Sequence, residues 1–231
     1  MADICIIPAR GGSKRIPGKN IKLFSGKPII AYSIEAALKS RLFEEVMVST
    51  DDAEIAGIAK ELGANVPFFR SEKNADDHAT TADVLEEVLL EFNKLGKEFK
   101  NACCLYPTAP FVTSDSLKKG KNKLKVSDAD TVFPVVCFGY PVWRGLRKDD
   151  SDRVDMIWKD HLNSRSQDLE KVYHDAGQWY WFDVERFLLN KKLFTGNTKG
   201  LELSPLEVQD IDNLHDWHLA ELKYGYLQSI K

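Results

Sequence analysis

The chain has 231 residues, 43% of them hydrophobic and 29% charged, with 32 Lys and Arg against 35 Asp and Glu for a formal charge of −3 at pH 7. That composition suits one globular domain over 1–231, not a disordered or membrane-embedded chain, and its slightly acidic balance argues against general nucleic-acid binding. No apolar run approaches the ~20 residues of a spanning helix and the N-terminus lacks the layout of a leader, so no membrane partner is expected and the expected setting is the cytoplasm. Cys5, Cys103, Cys104 and Cys137 lie in apolar runs without metal-ligand spacing and read as reduced core residues.

The first apolar run, ICII, reads as a strand and leads into a glycine-rich loop. PIIAYSIEAALKS then repeats apolar residues at helical spacing behind Pro28, which suits a helix's first turn. EVMVST predicts a second strand. Asp51 or Asp52 can cap the helix AEIAGIAKEL, and Gly63 marks its end. VPFF follows as a further apolar run, then a polar loop, the helix TADVLEEVLLEFNKL and the buried run ACCLYP.

Strands alternating with helices predict an α/β fold with a mostly parallel sheet, right-handed crossovers and helices on both faces. Ligands of such sheets sit beyond the carboxyl ends of the strands, which lines up PARGGSKR, STDD and YPTAP along one rim. After TVFPVVCF the alternation weakens. The charged, aromatic stretch at about 140–175 reads as an inserted arm or β-ribbon, or else a flexible flap. QWYWF then returns to the sheet, and a last helix starts near Asp212.

Within the glycine loop, Arg10, Lys14, Arg15, Lys19, Lys22 and Lys27 fall in a stretch with no carboxylate from Ile4 to Ile34. Neither a P-loop nor G-x-G-x-x-G is present. Gly11 and Gly12 would let backbone amides approach anionic oxygens, while Arg10, Lys14 and Lys19 supply charge, so a nucleoside triphosphate is the expected guest. The competing reading is a solvated surface loop. It is weakened by the preceding strand, the missing acids and the stiffening Pro8 and Pro17.

The sign reverses near the other end, where six carboxylates and no Lys or Arg lie between Lys199 and Lys223. Asp210 and Asp212 flank Ile211 in an extended stretch, so both face one way and could share Mg²⁺ with phosphate oxygens. Alternatively, Asp212 or Asn213 caps the last helix. His215, Asp216 and His218 form a rival ligand set that would suit zinc. Asp51 could touch nucleotide or metal, although helix capping accounts for it more simply.

Together, ARGGSKRIPGKN, VSTDDAEIA, YPTAP and QDID resemble the N-acylneuraminate cytidylyltransferase family, the CMP-sialic acid synthetases, over nearly the whole chain. The resemblance implies a Rossmann-like nucleotidyltransferase sheet, a homodimer formed through the arm, and transfer of CMP from CTP to the anomeric hydroxyl of a nonulosonic acid, a nine-carbon acidic sugar. Pyrophosphate is the second product and Mg²⁺ the implied cofactor. Arg10, Lys14 and Lys19 become catalytic phosphate binders; Ala9, Gly11, Gly12, Ser13, Asn20 and Arg70 join Arg10 and Lys19 around the nucleotide; Asp210 and Asp212 match the metal pair. No general base is assigned.

Tyr106 and Val112 stand where the family often has Gln and Arg, and His174 stands where it has another Arg. These changes suit a sugar with acetamido or methyl groups in place of hydroxyls, and the chain looks like the pseudaminic acid branch. Thr80, Thr81, Tyr106, His174 and Gln178 are the expected sugar contacts. Trp179 either joins that pocket or packs in the core. A CMP-sialic or CMP-legionaminic acid synthetase, a D-x-D glycosyltransferase and a non-catalytic nucleotide-binding module are the alternatives.

Overall fold

The computed structural model describes residues 2–230. In chain order it contains β1 (Ala2–Pro8), the short hairpin β2 (Leu23–Phe24) and β3 (Lys27–Pro28), α1 (Ile29–Ser40), β4 (Glu45–Ser49) and α2 (Ala53–Glu61). The helical turn α3 (Glu72–Ala75), α4 (Thr81–Lys94), β5 (Phe99–Leu105), α5 (Ser114–Ser127) and β6 (Thr131–Cys137) follow. The remainder comprises β7 (Leu146–Lys148), β8 (Val154–Met156), β9 (Tyr173–Asp175), β10 (Trp179–Asp183), α6 (Val184–Asn190), β11 (Thr198–Glu202) and α7 (Leu214–Ser229).

The main sheet runs β11-β6-β10-β5-β1-β4, with β9 added on β6. β1 pairs in parallel with both β4 and β5, and β11 in parallel with β6, whereas β10 and β9 run the other way. Alternation along β1 divides the core: Cys5 and Ile7 face α1, α2 and α5, while Ile4 and Ile6 face α4 and α6. Side chains end the helices as capping chemistry requires. Asp52 accepts the Glu54 and Ile55 N–H groups, and Thr80 with Asp83 forms a capping box on α4.

Several expectations change. The apolar run VPFF forms no strand; the chain beside β4 makes the isolated bridge Met47–Asn65, and Pro67 cannot donate to extend it. The charged α5, absent from the sequence reading, buries only Leu117, Gly120 and Leu124, too few apolar positions for a clear period. Gly120 is needed there: a Cβ would stand 2.4 Å from the Trp179 ring. Trp179 is fully buried and belongs to the core, not to a ligand pocket. Cys137 is only half-buried, at the end of β6. The arm does contain a ribbon, β7 with β8, separate from the main sheet. No helix among the described residues is long and apolar enough to cross a membrane.

A third apolar cluster positions the site. It gathers Ile16 from the basic loop, Ile211 from the acidic segment, Phe24, Tyr32, Phe111 and Trp217. Ile16 and Ile211 are each 1% exposed. Burying both fastens two distant charged segments side by side.

Candidate active site

Beyond the carboxyl end of β1 the loop is tightly folded. Gly18 turns at φ +61°, Lys19 N–H donates to Ile16 O, and Ile21 and Lys22 N–H both donate to Gly18 O. Asn20 is buried and its Nδ2 donates to Arg10 O at 2.9 Å, tying the loop's two ends. Ser13 N–H donates to Gly11 O. These bonds disfavour the solvated-loop reading.

The acids missing from the loop come from elsewhere. Asp77 pairs with Arg10 at 2.9 Å and with Lys14, and Asp212 pairs with Arg15 at 2.7 Å. Both cations hold the Asp77 carboxyl below the usual carboxylate range, Lys14 most strongly. Asp51 Oδ1 accepts the Gly11 N–H at 3.0 Å, so Asp51 latches the loop while Asp52 caps α2. A Cβ on Gly11 would lie 2.6 Å from Asp52 Oδ2, which explains that glycine; the space around Gly12 is open.

The two charged poles meet in one cavity of about 410 Å³, whose lining includes Arg10, Ser13, Lys14, Lys19, Asn20 and Asp212. Burial lowers the Lys19 pKa, opposed by the charges of Asp212 and Asp210. Asp210 is raised, first by desolvation and then by Asp212. The segment before it is held by Lys223, whose Nζ donates to Val208 O and Gln209 Oε1. Asn213, not Asp212, caps α7, and its capping-box partner Asp216 accepts from the Asp212 and Asn213 N–H groups. That structural task removes Asp216 from the rival ligand set. Among the described residues no group of three or more His, Cys, Asp or Glu is arranged around a metal position. Two carboxylates completed by phosphate oxygens match the hard donors that Mg²⁺ takes.

A second cavity of about 260 Å³ shares Pro8, Arg10 and Asp77 with the first and is lined by Arg70, Thr80, Thr81 and Tyr106. Arg70 is buried, its Nη2 donating to Ser49 O at 2.6 Å and its Nε to Ser49 Oγ at 3.1 Å. Desolvation lowers its pKa. Tyr106 is fixed by its N–H to Gln178 O and by Ser33 Oγ donating to its carbonyl. Other recesses lie beside α7 and over α4, but neither joins the loop to the acidic segment.

Six expected contacts line neither cavity: Gly11, Gly12 and Asp210, which lie beside the first, and Ala9, Gln178 and His174. Ala9 is fully buried and spends its N–H on Ser49 O. Gln178 is buried, with Nε2 donating to Glu207 O at 2.6 Å. His174 is exposed against Phe138. Alternation along β9 turns it away from the face where Asp175 meets Tyr180. Conversely, Asp77, Arg15 and Thr108 belong to the site without having been singled out. For Asp77, in the polar run NADDHATT, nothing local distinguishes it.

The Cytidylyltransferase family model matches residues 4–201. A pseudaminic acid cytidylyltransferase of Campylobacter jejuni is 40% identical over 224 residues, covering 97% of each chain. The CMP-N,N'-diacetyllegionaminic acid synthase of Legionella pneumophila is 36% identical, over 96% of this chain and 95% of its own. In fold, the chain is similar to a CMP:2-keto-3-deoxy-manno-octonic acid synthetase solved with CTP, at a TM-score of 0.71 and 17% identity over 99% of this chain and 100% of that one. With its motifs, fold and relatives in agreement, the chain belongs to the cytidylyltransferase family and is a nucleotidyltransferase.

Proposed function

We propose that this enzyme transfers CMP from CTP to the anomeric hydroxyl of pseudaminic acid. The carrying observation is the meeting of the basic loop and Asp212 in one cavity at the carboxyl end of β1, beside a second cavity with Thr81 and Tyr106. The first suits a triphosphate, and the second brings Arg70, expected toward the base, together with Thr80, Thr81 and Tyr106, the expected sugar contacts. Identity to the Campylobacter enzymes favours pseudaminic acid over the legionaminic and sialic acids, which stay as second substrates to test.

In the reaction the sugar's anomeric hydroxyl releases its proton as its oxygen bonds to the α-phosphorus, the bond to the bridging oxygen breaks, and that electron pair leaves with pyrophosphate. Arg10, Lys14 and Lys19 neutralise oxygens that would repel the nucleophile and stabilise charge shifting to the leaving group. Asp210 and Asp212 would hold Mg²⁺, which supplies Lewis-acid stabilisation of phosphate oxygens when bound. Ile16 and Ile211 keep the two sets in register. A non-catalytic nucleotide sensor would bind CTP without releasing pyrophosphate, so coupled pyrophosphate detection separates it from an enzyme.

The same reading makes the chain a cytoplasmic homodimer. The arm exposes Leu146 (59%), Val154 (61%) and Leu162 (62%), an apolar surface suited to a second copy. Light scattering at micromolar concentration should give a dimer mass; a monomer mass would refute the dimer.

The direct test incubates the enzyme with CTP, Mg²⁺ and a panel of nonulosonic acids and weighs the product. CMP-pseudaminic acid should dominate. Pyrophosphate release with no nonulosonic acid in the panel would overturn the assignment.

A further inference from the structure

Three contacts from one helix, α7, hold the stretch that carries Asp210 and Asp212. At its end, the Asp212 N–H donates to Asp216 Oδ2 at 2.9 Å. In its middle, Ile211 packs in the buried cluster that contains Trp217 and Ala220. At its start, Lys223 reaches back, its Nζ donating to Pro205 O at 3.2 Å, Val208 O at 2.8 Å and Gln209 Oε1 at 3.0 Å. Gln209 passes that hold on, because its Nε2 donates to Asp210 O at 3.0 Å.

An ammonium has three protons and no lone pair, so these three oxygens use all that Lys223 can give. The same chemistry fixes the Gln209 amide: its oxygen must face Lys223, which leaves the NH₂ group for the Asp210 carbonyl. All three partners of Lys223 are uncharged, so it serves here as a clamp on the chain rather than as half of an ion pair.

We propose that Lys223 and Gln209 are positioning residues for the metal pair: they fix the main chain at Asp210, so that α7 sets its carboxylate against that of Asp212. This rests on the reading above that the pair holds Mg²⁺. The two roles open to Lys223 have opposite signs. As a bare charge it repels a divalent cation, and its removal would tighten metal binding. As a clamp it keeps a carboxylate where the ion needs it, and its removal loosens metal binding.

The test is CTP titration calorimetry with and without Mg²⁺, with no sugar present and hence no transfer. The ratio of the two affinities reports the metal, and Asp210→Asn sets the floor of that ratio. Lys223→Met, which keeps an unbranched stem, and Gln209→Met, which removes no charge, should each lower the ratio about tenfold toward the floor, the size expected when a group that orients a metal ligand is lost. Metal-free CTP affinity should stay within about threefold, since the loop cations are untouched. Lys123→Met, which takes an ammonium from Gly200 O on β11, should leave the ratio unaltered. In steady-state assays the Mg²⁺ concentration for half-maximal turnover should rise about tenfold while kcat at saturating Mg²⁺ stays within about threefold, a rescue that general loosening of the fold would not give. Should Lys223→Met fail to fold, Gln209→Met decides alone. A ratio unchanged or raised in these variants, or lost turnover that Mg²⁺ does not restore, would overturn the proposal. A wild-type ratio in Asp210→Asn would overturn the metal reading itself, and the proposal with it.

Discussion

Arg15 and Asp212 are joined by a 2.7 Å ion pair, while the residues beside them, Ile16 and Ile211, share one buried cluster with Trp217. The ion pair is exposed and contributes little alone. The apolar pair fixes the alignment, and the charges face the cavity as a result. Ile211→Ala should therefore cost about 2–5 kcal/mol in urea unfolding and raise the CTP KM as Asp210 and Asp212 lose their anchor. An unchanged midpoint would mean that the acidic segment is held by other contacts.

Arg10→Ala and Asp212→Ala should each lower turnover roughly 10²–10³-fold, the range seen when one preorganised stabiliser of a charged transition state is removed. Circular dichroism should be unaltered. Near-normal turnover of both under saturating CTP and Mg²⁺ would place the site elsewhere.

Asp77 competes with phosphate for Arg10 and Lys14. Because these pairs are open to solvent, Asp77→Asn should lower the CTP KM only about two- to fivefold. The gain should shrink with added salt. A higher KM in steady-state assays would instead make Asp77 a ligand contact.

The raised Asp210 carboxyl gives a signed pH expectation. Its native state disfavours ionisation relative to the unfolded chain, so the penalty appears as pH rises through the ordinary value of 3.8 and persists at neutrality. Without divalent metal at pH 7, Asp210→Asn should raise the Tm. It should also lose the further rise that Mg²⁺ with CTP gives wild type. A lower Tm in metal-free buffer would contradict this.

Much of the α/β order was legible because β1, β4, β5 and β6 are continuous apolar runs and α1, α2 and α4 carry clear periods and caps. The polar α5 and the edge strand β11 left no such trace. The two charged poles were legible because each is a long run of one sign. Their counterions were not: Asp77 meets Arg10 only through the tertiary approach of the loop before α4, and spacing along a chain carries no record of such a meeting. Gln178 and His174 line neither cavity, and where a side chain next to or within a strand points depends on pairing and register, which spacing along the chain does not record.

The central claim is that the loop and the aspartates grip one triphosphate from two sides. A crystal structure with CTP and Mn²⁺, read by anomalous scattering, tests it most directly. The metal peak should lie within coordination distance of both Asp210 and Asp212, with phosphate oxygens bonded to Arg10 and Lys19. A nucleotide bound away from that cavity, or a metal held by neither aspartate, would contradict the account.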